Sequence, residues 1–496
     1  MAEGRHVYTV DEALSAVGFG KFQFFVLLYA GLGWTCDAME VMLLSAIGPA
    51  VQRQWGLSSG EESVITSMVF VGMMIGAYLW GFVSDKFGRR RGFLVIAIIN
   101  SGGGLLSAFA PNYITLIICR CVVGVGLGSA PVLLTWFLEF VPASKRGTWM
   151  VIFQFFWTFG AILQAALAWI IMPRLTWRWL LGIASLPSFL LLVFYFMTPE
   201  SPRYLCSKGK KNEALKILEK IAKLNRTELP PGALATDREI ELQLQEKSLP
   251  PEYNDEHDLM WKDSNMGPFR TFLTLFSSKL AKSTFLLWAV FFGNAFIYYG
   301  LLLLTTELNN RSRRCPSTEM LPEKKHVDVN YKNVFVTSFA EIPGTILAAL
   351  TVDRFGRKIS MSVVFFVCGI FLVPLVVHQS ATLTTVLLFL ARICITATFA
   401  IVFVYAPEVY PTSVRSTGFG VANSMGRIGG LVSPYVAIVL VQGCHQTAAV
   451  ALFAAIAFVS AISVSLFPFE TKGRPLSDSI CSTKNETPKA ATQTEP

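Results

Sequence analysis

The chain has 496 residues, of which 53% are hydrophobic and only 15% charged, against roughly 25% charged in ordinary soluble domains. That balance excludes a soluble globular protein and places the chain in a membrane. The net charge of +9 is concentrated in short loops between apolar runs, which makes it a matter of membrane topology and not of nucleic-acid binding.

Residues 1–21 are polar and partly acidic (Asp11, Glu12). They lack the short apolar core and small-residue cleavage site of a signal peptide, so they are expected to form a cytoplasmic segment, with the first span as its own insertion signal. Charge-poor apolar runs follow at 22–50, 64–84, 92–110, 113–137, 147–172 and 177–198. Each is near or above the roughly 20 residues that cross a bilayer, which predicts an N-terminal six-helix bundle over 22–198. The polar stretch 199–282 holds a charged amphipathic helix from Lys211 to Lys220 and a Pro- and Glu-rich linker near 229–258. It is expected to be a cytoplasmic connector. Six more runs, at 283–306, 332–352, 359–378, 381–405, 414–440 and 446–467, predict a second bundle over 283–470. The Ser-, Thr-, Lys- and Pro-rich tail 471–496 is expected to be disordered.

Lys86, Arg89, Arg90, Arg91, Lys145, Arg146, Arg354, Arg357, Lys358 and Arg415 all follow even-numbered spans. An excess of Lys and Arg marks the cytoplasmic side, so both termini are expected there. The nominally external loop 307–331 runs against this with Arg311, Arg313, Arg314, Lys324 and Lys325. Cys36, Cys119, Cys121, Cys368 and Cys394 lie inside spans, as small apolar residues do, whereas Cys315 and Cys444 are both external, where a disulfide is open to them. Of three sequons, at Asn225, Asn310 and Asn485, only Asn310 falls outside under this topology and is the expected glycosylation site.

The densely charged turn from Gly81 to Arg91 contains Asp85-Lys86-Phe87-Gly88-Arg89-Arg90, and the pattern returns at Asp353-Arg354-Phe355-Gly356-Arg357-Lys358, 268 positions on. The box from Glu139 through Pro142 to Arg146 returns at Glu408, Pro411 and Arg415 with a shift of 269, and Arg120 returns as Arg392 with a shift of 272. This agreement predicts two homologous halves, a mark of secondary transporters. The fold class expected is an all-α membrane protein of 12 transmembrane helices in two pseudo-symmetric six-helix bundles.

Those motifs, together with Pro199-Glu200-Ser201-Pro202-Arg203 after the sixth span, resemble the major facilitator superfamily over about 20–473. The Pro199–Arg203 box and Glu470-Thr471-Lys472-Gly473 resemble sugar porters and organic ion transporters. Ala340–Gly344 and Tyr405–Thr412 resemble the branch of bacterial niacin transporters, synaptic-vesicle-protein-related transporters and, most of all, plant organic cation/carnitine transporters.

Charged groups inside a bilayer cost several kcal/mol unless paired or hydrated, which makes them functional candidates. The first span offers Asp37 and Glu40, three residues apart on neighbouring helical positions, and the fourth offers Arg120. The resemblance implies that Asp37 and Arg120 form the proton-linked pair of proton-coupled sugar porters, with Glu40 a second titrating group or a residue of the external rim. Asp85, Arg89, Arg90, Glu139 and Arg146, with Asp353, Arg357, Glu408 and Arg415, are expected to gate the cytoplasmic side. The cleft between the halves is expected to hold the solute, with Asn294, Tyr298, Phe292, Gln154, Gln164, Tyr405 and Asn423 as candidate contacts. Arg120, Arg392 and Arg427 would attract a carboxylate, and Asp37, Glu40 and Glu341 a quaternary ammonium. Sugar porters place paired glutamines where Trp288 and Ala289 stand here, so a hexose would lose its main hydrogen bonds.

The expected function is therefore proton-coupled secondary transport of a small organic ion by alternating access. The solute would be a nicotinate-like carboxylate, or a carnitine- or trigonelline-like zwitterion or cation. The alternatives are a sugar porter-like transporter and a non-transporting membrane receptor or vesicle component on the same fold. No Gly-x-x-x-x-Gly-Lys-(Ser/Thr) phosphate loop occurs. No enzyme activity and no cofactor is expected, the proton gradient being the driving force. The expected partners are the small organic ion, protons and the lipid bilayer of the plasma membrane or an endomembrane such as a vacuole or vesicle, with the protein acting as a monomer.

Overall fold

The computed structural model describes residues 7–142, 146–235, 272–278, 280–311, 331–377, 379–410 and 414–472. In lipid every backbone donor must be satisfied within its own segment or a closed barrel, and this chain meets the demand with helices. The first bundle comprises α2 (Lys21–Met42), α3 (Leu44–Trp55), α4 (Ser59–Phe87), α5 (Arg89–Ala108), α6 (Tyr113–Leu127), α7 (Ala130–Leu138), α8 (Arg146–Ile171) and α9 (Trp177–Val193), preceded by the short α1 (Val10–Val17). After α10 (Pro202–Ser207) and α11 (Lys211–Asn225), the second bundle comprises α12 (Ala281–Arg311), α13 (Tyr331–Ser338), α14 (Glu341–Phe355), α15 (Arg357–Leu372), α16 (Ala381–Val409), α17 (Arg415–Pro434) and α18 (Gln446–Ser465). The pairs α2–α3, α6–α7 and α13–α14 are each one interrupted span.

Among the described residues eleven spans are long and apolar enough to cross a membrane. The twelfth expected span, 414–440, is α17 continued by a π turn at Tyr435–Leu440. Its glycines, serines and Arg427 make it the least apolar of the twelve, and Pro434, which cannot donate a backbone hydrogen bond, sits where the regular ladder gives way. These twelve helices make up the two bundles.

Small residues set how closely the helices approach. A Cβ built on Gly72 of α4 would lie 2.1 Å from the Cys121 carbonyl oxygen of α6, and one on Gly124 of α6 would lie 2.2 Å from that of Val69. Lipid supplies no hydrophobic drive between helices, so such close backbone contact carries the packing.

The basic ends of the helices, where Lys86, Arg89 and Arg357 lie, define one face of the molecule. There the start of the chain and the segment after α9 build a small cap on the first bundle. Val7–Tyr8 pairs in parallel with Ala233–Leu234, Asp11 forms an ion pair with Arg203, and Asn225 Oδ1 accepts the Phe22 amide at the start of α2 (3.1 Å). Residues 202–234 thus do more than connect the bundles. The rest of the expected connector, 236–271, and the tail from 473 lie outside the described residues, as do Cys315, Asn485 and the side chain of Asn310. Cys444 is disulfide-bonded and lies beyond the π turn that follows α17.

At the opposite face the two bundles meet. Ser67 and Ser63 of α4 donate to the carbonyls of Leu431 (2.9 Å) and Pro434 (3.3 Å). Gln442 donates from one amide nitrogen to Glu62 of the first bundle (2.8 Å) and Glu307 of the second (3.2 Å), while accepting from Gln52 (2.8 Å). Below this polar seam Phe70 sits edge-to-face on Tyr299, with ring centroids 4.6 Å apart. The cavity described next is therefore closed at this face.

The α4–α6 contact yields a paired test. Gly124→Ala forces a methyl group into backbone and is expected to destabilise by on the order of 1–3 kcal/mol. Gly102→Ala, where nothing lies within 4 Å of the added Cβ, should stay within about 0.5 kcal/mol of the parent. Thermal unfolding in detergent compares the two, and equal midpoints would contradict the packing described.

Candidate functional site

Between the bundles lies a cavity of about 150 Å³. It is lined from mid-membrane residues (Asp37, Asn294, Arg427) to residues near the basic ends of their helices (Met150, Val352, Phe419), so it extends toward the basic face. Its wall is mostly aromatic and aliphatic: Trp34, Phe153 and Trp157 come from the first bundle, and Phe291, Tyr298, Tyr299, Phe399 and Phe403 from the second. Trp34 and Trp157 lie 5.1 Å apart, and Phe399 stacks on Phe403 at 5.3 Å. Apart from Tyr298, these rings were not among the candidates from sequence. The legible signal was their spacing of four residues on one helix face (Phe153/Trp157, Phe399/Phe403), which apolar core packing also produces.

A few polar groups interrupt this wall. Asp37 Oδ1 accepts a bond from Asn100 Nδ2 (3.4 Å), and Asp37 Oδ2 has no partner among the described residues. Arg427 Nη1 reaches Tyr299 Oη (3.4 Å) and Met73 Sδ (3.3 Å), and Arg427 lines the same cavity as Asp37 from the opposite bundle. Asn294 Oδ1 accepts from Thr398 (3.4 Å), and Asn294 Nδ2 has no partner among the described residues. Gln154 accepts the Trp34 indole N–H (3.1 Å), and Asn423 completes the lining.

Five of the expected solute contacts do not line the cavity. Gln164 is enclosed within the first bundle, Phe292 stacks on Phe296 with its carbonyl against Gly429, and Tyr405 is buried with its hydroxyl on the Phe469 carbonyl (3.1 Å). Arg392 and Glu341 are buried against each other at 2.8 Å, behind the wall.

The expected pairing of Asp37 with Arg120 is also corrected. Arg120 Nη1 pairs with Glu40 at 3.1 Å, and its Nη2 and Nε donate to Ser107 Oγ at 2.7 and 3.2 Å. Glu40 is likewise no residue of an external rim: it is 1% exposed. Three residues turn a helix by about 300° and rise roughly 4.5 Å. That displacement puts Asp37 on the cavity wall and Glu40 among α5 and α6, where Arg120 is.

At the basic face the repeated motifs build the same network twice. Arg89 Nη2 binds Glu139 (3.3 Å), and Arg357 binds Glu408 (3.3 Å). Glu200 accepts the amide of Arg89 (2.9 Å), while Glu470 accepts those of Arg357 (2.8 Å) and Lys358 (2.9 Å), so a carboxylate meets the positive end of α5 and of α15. Gly88 (φ +100°) and Gly356 (φ +89°) make the turn, and a Cβ on either would strike Glu200 or Glu470 at 2.4 or 2.7 Å. Arg90 adds its amide to Glu200 and lays its guanidinium over Tyr195. Burial raises the Glu139 carboxyl above its ordinary value, and Arg89 draws it back. These ion pairs lie within one bundle each and do not bridge the two. The side chains of Asp85, Arg146, Asp353 and Arg415 lie outside the described residues.

This geometry meets its parallels in known proteins. The family described as Sugar (and other) transporter matches residues 37–306, and the Major Facilitator Superfamily matches 331–487. Organic cation/carnitine transporter 7 of Arabidopsis thaliana is 57% identical over 504 residues, covering 99% of this chain and 100% of that protein. The chain belongs to the major facilitator superfamily. The synaptic vesicle 2-related protein of Xenopus laevis is 35% identical, with 95% of this chain and 83% of that protein covered. Among solved structures, a proton:xylose symporter bound to 6-bromo-6-deoxy-D-glucose superposes with a TM-score of 0.67 at 20% identity, covering 92% of this chain and 98% of the other. That likeness shows the fold. As a member of the superfamily the chain is a membrane transporter by fold and kinship.

The sealed pair predicts an asymmetry between single and double substitutions. Arg120→Gln strands Glu40 in a buried site, which costs on the order of 3–5 kcal/mol. Adding Glu40→Gln should restore a large part of that. A double variant less stable than Arg120→Gln in thermal unfolding would contradict the pairing.

Proposed function

We propose that this transporter carries a small organic ion in exchange for the energy of a proton gradient, by alternating access. The single observation that carries the reading is Asp37: a mid-membrane carboxylate on the cavity wall with one oxygen that no described residue partners. A buried carboxylate of this kind either takes up a proton or receives a cation, and alternation between the two is how a gradient drives a solute. The printed name of the Arabidopsis relative supports an organic cation or carnitine-like solute. Arg427 facing the same cavity also admits a carboxylate, so a zwitterion uses both charges and a nicotinate-like anion uses one. The aromatic lining suits a flat or quaternary-ammonium group. A hexose is disfavoured, since the wall is mostly apolar and Trp288 and Ala289 stand where sugar porters carry glutamines.

On this reading the basic face is cytoplasmic, following the positive-inside rule. The cavity then opens inward and the Gln442 seam is the closed external gate. Asp37, Arg427 and the aromatic wall handle cargo and proton, whereas Glu40 with Arg120 is a fixed strut, and the paired networks of Arg89 and Arg357 hold each bundle's cytoplasmic end as a unit.

Uptake into proteoliposomes under an imposed pH gradient tests this, with labelled carnitine, nicotinate and glucose compared side by side. Accumulation of carnitine or nicotinate that collapses with the gradient is expected, and glucose as the accumulated solute would reverse the assignment. Asp37→Asn should cut gradient-driven accumulation at least about tenfold while sparing exchange. Full pH-driven accumulation in that variant would remove Asp37 from the mechanism.

A further inference from the structure

The two repeated arginines, Arg120 and Arg392, are held in different ways. Arg120 is satisfied by Glu40 and Ser107, all within the first bundle and away from the cavity. Arg392 Nη2 donates to Glu341 Oε1 (2.8 Å) and also meets Met42 Sδ (3.4 Å), which belongs to the first bundle. The same Glu341 oxygen accepts the Tyr298 hydroxyl (2.7 Å), and the Tyr298 oxygen accepts the indole N–H of Trp157 (2.9 Å), again from the first bundle. Trp157 and Tyr298 line the cavity, and Glu341 and Arg392 do not. One arginine pair is thus sealed inside its bundle. The other is connected to the cargo space through Tyr298, and the opposite bundle meets it once directly, at Met42, and once through Trp157 on Tyr298.

The bond pattern has a second notable property. Glu341 Oε2 and Arg392 Nη1 are buried and have no partner among the described residues. An arginine and a carboxylate ordinarily gain most by making two parallel bonds, yet here one carboxylate oxygen takes both Tyr298 and Arg392 while the other is idle. A tyrosine hydroxyl has a single proton, so Tyr298 can satisfy Glu341 only by committing that proton to it.

We propose that Trp157, Tyr298 and Glu341 form a tie between the bundles that cargo releases, with Tyr298 as its positioning residue. While Trp157 holds the phenol, Tyr298 occupies Glu341 and keeps Arg392 in a one-point contact, with the bundles joined across Trp157–Tyr298 and Met42–Arg392. When a solute in the cavity engages the indole or phenol, or when the bundles rock apart, Tyr298 leaves Glu341 and the ion pair closes into its two-point form. The Tyr298–Glu341 bond is thereby replaced by a second Arg392–Glu341 bond inside the second bundle, and the freed indole and phenol turn to the solute or to the wet cavity. This gives two discrete arrangements, which is what a coupling element requires. The groups facing Glu341 are Arg392 of α16 and the phenols of Tyr298 and Tyr299 of α12, with Arg427 of α17 behind Tyr299.

The inference takes its meaning from the transport reading, but its test needs no cargo. In the full chain reconstituted in liposomes, Ser67→Cys places a thiol in the seam opposite the basic face, and labelling by a water-soluble maleimide is read against the same chain without that change. Tyr298→Phe removes one oxygen and keeps the ring packed on Tyr299 and Phe399, so the fold is preserved. It is expected to change the labelling rate at least about threefold, Trp157→Phe to do the same, and the double variant to go no further than either alone. An unchanged rate in Tyr298→Phe, or effects that multiply in the double variant, overturns the tie. If labelled carnitine or nicotinate is accumulated, Tyr298→Phe should shift the maximal rate while KM stays within about twofold. A shift confined to KM would mark Tyr298 as an ordinary cargo contact and likewise overturn the proposal. Failure of every solute in the uptake panel counts against the transport reading alone, because the labelling result stands apart from it.

Discussion

The absence of water in the bilayer core governs this structure. A charge held there must be paired, hydrogen-bonded or turned toward a wet cavity, because the alternative costs several kcal/mol. Each mid-membrane charge here takes one of these routes. Arg120 and Glu40 are sealed against each other, Arg392 and Glu341 are paired behind the cavity wall, and Asp37 and Arg427 face the cavity. The same rule produces the long helical backbone ladders and the glycine-lined crossings, since neither peptide groups nor helices find other partners in lipid.

Duplication sets the frame, and departures from it mark where the halves have separate tasks. At the basic face Glu139, Glu200 and Arg89 are matched almost bond for bond by Glu408, Glu470 and Arg357. Helix ends face the same electrostatic demand in both bundles, and one solution serves twice. At mid-membrane the equivalent arginines have unlike partners: a first-helix glutamate in one half, and in the other a glutamate shared with a cavity tyrosine. The cleft itself is lined unequally, with the carboxylate from one bundle and Arg427 and most of the aromatic rings from the other. A solute with distinct ends is suited to such a space.

Much of the fold was legible before any coordinates. Hydropathy located the spans and the shift near 270 located the repeat, because span length and motif spacing are properties of the chain itself. Part of the cavity lining was legible as well: Asp37, Asn294, Tyr298, Gln154, Asn423 and Arg427 all reach it. Gln164, Phe292 and Tyr405 did not, since a polar or aromatic residue on a span looks the same whether it turns toward the cleft or toward a neighbouring helix. Trp34, Trp157 and Phe399 went unrecognised for the same reason.

The sequence by itself determined the number and order of spans, the basic face, the duplication and the superfamily, because each depends on composition and spacing along one chain. Only the tertiary structure decided which acid each arginine holds. Asp37 and Glu40 are separated by about 300° of helical rotation, roughly 60° short of a full turn, and nothing local says which of them will meet α6. It also decided that Gln442 bridges Glu62 and Glu307, and that Tyr298 joins Trp157 to Glu341. Those contacts link residues far apart in sequence, on helices whose rotation and crossing angle are fixed by packing and not by hydropathy.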